Sequence, residues 1–463
     1  MELFHGITKG MAMGKYFGTD GFRGEAGKSL TSLHAYKIGR FLGYYYGKEH
    51  RAKVVIGKDT RRSSYSLEYA LCAGLTSSGA DAYILHVTTT PSVSYVARSE
   101  DFDCGIMISA SHNPFYDNGI KVINSRGEKM SDAVLCEIEQ YIDTDKPEIP
   151  FATGDKIGRT IDYVQGRNRY CGYLISLASH SYKGTRVGLD ASNGSCWMLA
   201  KSVFDALGAK TYIINNTPDG LNINENCGST HIEGLQRLVK QQKLDIGFAF
   251  DGDADRCLAV DCDGNVLTGD HILYACAKYM KKCGELSNNA IAATTMSNMG
   301  LFVALDNEGI GYVKTDVGDK YVYEAMQKHG LALGGEESGH IIFAKHASTG
   351  DGLITAIKIM EVLIETRVKS GELCSGFRMY PQYLVNVKVA DKDAVMNDKE
   401  ILDCVEELSE KLGDKGRILL RKSGTEPVIR VMAEAETHEE CKLNVDNIVG
   451  LIKRKGYGIE KNE

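Results

Sequence analysis

Lys53-Val-Val-Ile-Gly-Lys-Asp-Thr60 is a short β-branched run that stops at a polar turn; an apolar-periodic helix is predicted from there to Gly79-Ala80, followed by Ala82-Tyr-Ile-Leu85. The plan recurs. Arg186-Val-Gly-Leu-Asp-Ala-Ser-Asn193 precedes a helix predicted over 198–207, then Gly208-Ala209 and Thr211-Tyr-Ile-Ile214. Ala290-Ile-Ala-Ala-Thr-Thr-Met-Ser297 starts a third copy, with a helix over 301–305 and Gly309 closing it. A strand–turn–helix–glycine–strand unit reads as a crossover between parallel strands. The expected fold class is therefore α/β, with three related α/β domains carrying mixed, mainly parallel sheets. Their ligand-facing loops belong at the carboxyl ends of the strands. Beyond residue 378 the pattern changes to strands over 383–390, 417–420 and 428–433 with helices over 398–412 and 437–453, a smaller α+β domain. At 463 residues the chain is too long for one hydrophobic core, and about three or four domains fit it. The expected boundaries are 1–165, 166–266, 267–378 and 379–463, without a Gly/Ser/Pro linker.

Composition narrows the function. With 43% hydrophobic and 25% charged residues, 50 Gly and only 7 Pro, the chain is neither collagen nor linker nor disordered polyelectrolyte. A net charge of −7 and no long basic stretch argue against nucleic acid and anionic membranes. No run approaches the roughly 18 apolar residues of a membrane span, and residues 1–15 lack the apolar region of a secretory signal, so a cytoplasmic location is expected. The 13 cysteines are scattered without a Cys-x-x-Cys and read as reduced thiols.

Five segments stand out for chemistry. Asp251-Gly-Asp-Ala-Asp255-Arg256 follows the apolar run 244–250. Alternate carboxylates on one turn repel unless a hard divalent cation sits among them, so Asp251, Asp253 and Asp255 are candidate ligands. An EF-hand would need Gly and an acid where Arg256 and Cys262 stand. Ile108-Ser-Ala-Ser-His-Asn-Pro114 also follows an apolar run. Strand neighbours Ser111 and His112 would point apart, and no Gly-x-Ser-x-Gly elbow is present, so a hydrolytic triad is not expected. Locally, Ser111 and Asn113 cap a turn as readily as they carry chemistry. Arg421-Lys-Ser-Gly-Thr-Glu-Pro-Val-Ile-Arg430 gathers forked guanidinium donors, two hydroxyls and a turn glycine, which suits a phosphate cradle. Gly334-Gly-Glu-Glu-Ser-Gly-His340 offers a carboxylate and a hydroxyl fit for sugar hydroxyls, though alone it reads as a glycine turn. Lys15-Tyr-Phe-Gly-Thr-Asp-Gly-Phe-Arg-Gly24 matches no nucleotide fingerprint and reads as a structured turn around Arg23.

Together these five segments resemble the α-D-phosphohexomutase superfamily over essentially the whole chain and in the right order. Lys15 to Gly21, Pro218-Asp-Gly-Leu-Asn-Ile-Asn-Glu225 with Cys227-Gly228, and Tyr380-Pro-Gln382 are most similar to its bacterial amino-sugar branch. The resemblance implies four domains around a central cleft. It implies a phosphoserine at Ser111, with Mg2+ held by Asp251, Asp253, Asp255 and a phosphoserine oxygen. Arg23, Lys121 and His340 would surround the transferred group, and Glu336 and Ser338 would grip sugar hydroxyls. Arg421, Ser423, Gly424, Thr425 and Arg430 would hold the phosphate that is not reacting. The partner would be a small-molecule sugar phosphate and the phosphorylating intermediate glucosamine 1,6-bisphosphate. Ser111 would first be phosphorylated by a kinase or by autophosphorylation, in a monomer or homodimer. The rival expectations are a phosphomannomutase or phosphoglucomutase on the same scaffold, and a non-catalytic sugar-phosphate binder. Two departures are visible: Glu337 stands where the branch more often has Gln, and the first dozen residues precede the family's usual start, so translation is expected from Met1, Met11 or Met13.

Overall fold

The β-branched run forms the strand Lys53–Lys58, inside a seven-stranded sheet. Successive strand side chains point to opposite faces. Val54 and Ile56 enter the core shared with helices Ser32–Tyr46 and Arg62–Ser77, while Val55 enters the one shared with helix Thr90–Ser99. Cover on both faces explains why this strand is apolar throughout rather than alternating. The computed structural model describes residues 14–423 and 428–458, so Met1, Met11, Met13, Gly424 and Thr425 lie outside the described residues.

Three sheets share one plan. Lys53–Lys58 lies between the parallel strands Asp81–Val87 and Cys104–Ile108, and Asp117–Asn124 returns antiparallel beside the latter. Arg186–Asp190 lies likewise between Lys210–Ile214 and Ile246–Phe250, with Cys257–Asp261 returning. Ala290–Thr294 lies between Gly311–Thr315 and Leu333–Gly335, with Ile341–Phe343 returning. The turn after each central strand also repeats: the N–H of Arg61 donates to Asp59, that of Ser192 to Asp190, and that of Met296 to Thr294. In every copy, the connection between the third strand and the returning strand carries one of the motifs: residues 109–116, 251–256 and 336–340.

The described chain falls into two compact units, Met1–Met296 with Ile310–Ser375, and Ser297–Gly309 with Gly376–Glu463. The helix of the third copy, Met299–Asn307, thus groups with the C-terminal residues and not with its own sheet. Among the bonds that tie it there, buried Glu434 accepts from the Met299 N–H (2.8 Å) at the positive end of that helix and from Arg417 Nε (2.8 Å), and Asn298 exchanges two bonds with the Tyr380 backbone. The rest of this second unit is an antiparallel sheet, Gln382–Lys388, Val428–Glu434 and Arg417–Lys422, under helices Lys399–Leu412 and His438–Arg454. The thirteen cysteines are free thiols. Among the described residues no helix is long and apolar enough to cross a membrane.

Candidate active site

Ser111 is 1% exposed and adopts a left-handed backbone, φ 51°. It therefore does not lie on a strand, which corrects the expectation that Ser111 and His112 point apart: in this turn Ser111 Oγ is 3.3 Å from His112 Nδ1. A hydrolytic pair still does not follow. Burial, then the charges of Arg256 and Arg23, push the His112 pKa down to about 4, too low for a useful base at neutral pH. The partner that matters is Asp251, whose Oδ2 accepts from Ser111 Oγ at 2.5 Å.

Asp251, Asp253 and Asp255 bring carboxylate oxygens within 4.8 Å of one another, all buried. Unit charges 4 Å apart at an effective dielectric of about 20 repel by roughly 4 kcal/mol. Burial first, and then Asp255 and Asp253, push the Asp251 pKa well above the usual carboxylate range. Asp255 goes the other way: burial opposes ionisation, but Lys121, His340 and Arg256 hold its pKa well below that range. Asp253 Oδ1 and Asp255 Oδ1 are buried and have no hydrogen-bond partner among the described residues. Hard oxygen donors, mutual repulsion and unpartnered lone pairs together fit a divalent cation.

The cations around the triad are tied to it. Lys121 Nζ lies 2.8 Å from Asp253 Oδ2, 3.3 Å from Asp255 Oδ2 and 3.3 Å from Asp20 Oδ1. Burial would neutralise this lysine, but Asp20, Asp253 and Asp255 raise its pKa well above normal. Arg23 pairs with Asp20 and donates to Asn113 Oδ1 at 3.2 Å. His340 Nδ1 lies 3.8 Å from Asp255, and its Nε2 lies 3.6 Å from Asp319. Burial lowers the His340 pKa, but Asp255 and Asp319 lift it to about 9. The Gly350 N–H donates to the same Nε2 at 2.9 Å, which requires an unprotonated nitrogen there. Nδ1, 3.8 Å from Asp255, carries a proton in either state of the ring.

The third motif loop is more open. Glu336 Oε1 accepts from the Gly318 N–H at 2.9 Å, and Ser338 Oγ has no hydrogen-bond partner among the described residues. In the second unit, Arg421 and Arg430 are direct cross-strand partners. Like charges directly opposite one another destabilise a sheet. Burial and Arg430 lower the Arg421 pKa. Buried Ser423 donates its N–H to Val428 O at 3.0 Å.

Sequence reasoning missed several participants. Asp20 and Asp319 clamp Lys129 at 3.5 and 2.6 Å, and Thr90 Oγ1 donates to Asp253. Asp20 lies within the segment quoted for Arg23 and could have been read there. Asp319, Lys129 and Thr90 carry no local signal, since only the fold brings them to the cluster.

The chain matches, in order, the phosphoglucomutase/phosphomannomutase α/β/α domain I over residues 14–148, domain II over 163–264, domain III over 268–380 and the C-terminal domain over 384–451. It is 64% identical over 450 residues to a phosphoglucosamine mutase of Lachnospira eligens, covering 96% of this chain and 100% of that one. Against a phosphoglucosamine mutase of Bacillus cytotoxicus it is 46% identical over 442 residues, covering 95% and 99%. Among solved structures, a phosphoglucomutase/phosphomannomutase family protein of Burkholderia thailandensis superposes with TM-score 0.81 at 25% identity, covering 96% and 98%. Aspergillus fumigatus N-acetylphosphoglucosamine mutase, solved with GlcNAc-6P and magnesium, shares the fold at TM-score 0.67 and 18% identity, covering 95% and 96%.

Proposed function

The chain belongs to the phosphoglucomutase/phosphomannomutase family, and from that premise we propose that it is a phosphoglucosamine mutase, interconverting glucosamine 6-phosphate and glucosamine 1-phosphate for UDP-N-acetylglucosamine synthesis. The full-length relatives at 46–64% identity carry that name, which favours it over the sister hexose mutases. The observation that carries the chemistry is Ser111 Oγ at 2.5 Å from Asp251, beside two more buried carboxylates and within a ring of cations.

Asp251, Asp253 and Asp255, with a phosphoserine oxygen, would hold Mg2+, which when bound supplies positive charge against the transferring phosphoryl oxygens. Phosphorylated Ser111 is the donor. The bond from phosphorus to Ser111 Oγ breaks as the bond to the sugar's free hydroxyl oxygen forms, the hydroxyl's proton passing to Ser111 Oγ, giving glucosamine 1,6-bisphosphate. That intermediate turns end over end; the bond from its other phosphorus to the sugar oxygen breaks as the bond to Ser111 Oγ forms, and the serine proton passes to the freed sugar oxygen. Arg23, Lys121 and His340 surround the group in flight as charge stabilisers or proton carriers. Lys121, kept cationic by its three carboxylates, serves as a stabiliser. Glu336 and Ser338 grip sugar hydroxyls. Arg421, Ser423, Gly424, Thr425 and Arg430 hold the non-reacting phosphate, a cradle that serves either end of the sugar and helps orient the reacting oxygen.

In this reading the phosphoserine loop belongs to a domain spanning 1–165, the metal loop to 166–266, the sugar loop to 267–378 and the cradle to 379–463. The enzyme works in the cytoplasm as a monomer or homodimer, and Ser111 is first phosphorylated by a kinase or by autophosphorylation. Mass spectrometry of the active enzyme is expected to find one phosphate on the peptide spanning 109–114. Comparing glucosamine, glucose and mannose phosphates is expected to give the highest kcat/KM with the first. An active enzyme bare at Ser111 would end the mechanism, and faster turnover of glucose or mannose phosphate would move the assignment to the sister activity.

A further inference from the structure

The segment Pro218 to Gly228 has no task in this chemistry, yet it touches both reacting loops. Asn224 is buried, and its Nδ2 donates to Ser111 O at 2.8 Å and to Asn113 O at 3.0 Å. The same two carbonyls also receive Arg61 Nη2 at 2.9 and 2.8 Å. Arg61 is fully buried, and Asp59 orients it through Nε at 2.8 Å. Asp59 also accepts from Ser109 Oγ at 2.6 Å, and that oxygen in turn accepts the Ser111 N–H at 3.0 Å. A left-handed serine costs on the order of 1–3 kcal/mol unless its surroundings over-determine it. Here both lone pairs of each carbonyl are engaged, one by an arginine of the Ser111 domain and one by an asparagine of the metal-loop domain.

The far end of the segment rests on the metal loop. The Gly228 N–H donates to Asp190 at 3.1 Å, and a Cβ at 228 would come within 2.5 Å of Phe250 O, the carbonyl preceding Asp251. A Cβ at Gly252 would meet Ser111 O at 2.4 Å and Asn224 Nδ2 at 3.0 Å, so the metal-loop backbone, the Ser111 carbonyl and the Asn224 amide are stacked in contact. Two further bonds join the domains beside it, Arg62 N–H to Gly220 O at 3.1 Å and Thr60 Oγ1 to Asn193 O at 2.6 Å.

We propose that the segment 218–228 is a strap that sets the register between Ser111 and the carboxylate triad, with Asn224 as its positioning residue. Asn224 touches no reacting atom; it acts by holding the Ser111 carbonyl in place against Gly252. The proposal deepens the mutase reading and rests on it for its purpose, but its test does not need turnover. The full-length enzyme and Asn224→Ala are compared by amide hydrogen exchange over peptides covering 109–114 and by Mn2+ binding followed by electron paramagnetic resonance. Exchange in that peptide is expected to rise about tenfold or more while the rest of the chain exchanges as before, and Mn2+ affinity is expected to fall roughly tenfold, each equal to about 1.4 kcal/mol. Should the alanine variant fail to fold, Asn224→Asp keeps the shape and loses both donors. Unchanged exchange at 109–114, or a uniform change across the chain with Mn2+ affinity intact, overturns the strap. Absence of phosphate on wild-type Ser111 would remove the mutase reading instead, leaving the exchange comparison to decide the strap.

Discussion

The Ser111 loop and the Ser338 loop hang from equivalent strands of two copies of one module, yet their polar groups are engaged differently. Around Ser111, the backbone N–H, the carbonyl and the hydroxyl all have protein partners. Ser338 Oγ is buried without one among the described residues, and Glu336 binds one backbone N–H through Oε1. In the proposed reading the first loop is prepared in advance for a group it carries itself, while the second keeps hydrogen-bonding capacity for a group that arrives. Ser111→Ala is the sharpest way to break this contrast. Phosphoryl exchange should fall by a factor on the order of 10^4 or more, as for removal of other nucleophiles. The thermal midpoint should fall only modestly, by the one hydrogen bond to Asp251 that is lost, while the fold stays intact. Appreciable turnover by the purified variant would mean that another group carries the phosphate.

Asp253→Asn tests the prepared side without touching the nucleophile. The substitution keeps the shape but removes one charge from the triad and one of the carboxylates facing Lys121. We expect kcat to drop by roughly 10^2 to 10^3, the range seen when one stabilising group is taken from a transition state. The Mg2+ concentration for half-maximal activity should rise in parallel, read from initial rates over a metal titration. Full activity in excess chelator would show that the acidic cluster serves structure alone.

The same contrast governs what could be read from the sequence. The motif loops were legible because each packs its chemistry into six or seven consecutive residues, and the repeat was legible because β-branched runs and closing glycines recur at similar spacing. Lys129, Asp319 and Thr90 were not, because each reaches the cluster from a different part of the fold, Asp319 and Thr90 as the first residues of two helices. Asn224 lay in plain view inside a quoted motif, but its role depends on two carbonyls more than a hundred residues away. The helix Met299–Asn307 was found as an element, while its grouping with the C-terminal sheet rests on partners 82 to 135 residues on, Tyr380 and Glu434 among them.

The receptive loop answers to smaller changes. Ser338→Ala should lower kcat/KM by about tenfold, near the 1–1.5 kcal/mol of one hydrogen bond, with no loss of thermal stability because no protein partner among the described residues is abandoned. A fall in stability with unchanged kinetics would place the hydroxyl in the fold's service. The finest test is Glu337→Met. The loop backbone at this point is anchored whatever the side chain: the Gly269 N–H donates to Glu337 O at 2.9 Å, and a Cβ at 269 would lie 1.9 Å from Glu336 O. Only the half-buried carboxylate changes. If it faces the 2-ammonium group of the amino sugar, the partly solvated pair is worth up to about 1 kcal/mol, roughly fivefold, and the loss should fall on glucosamine phosphate but not on glucose phosphate. Equal losses with both substrates would mean that Glu337 does not read the amino group, and selectivity would then have to come from elsewhere around the sugar.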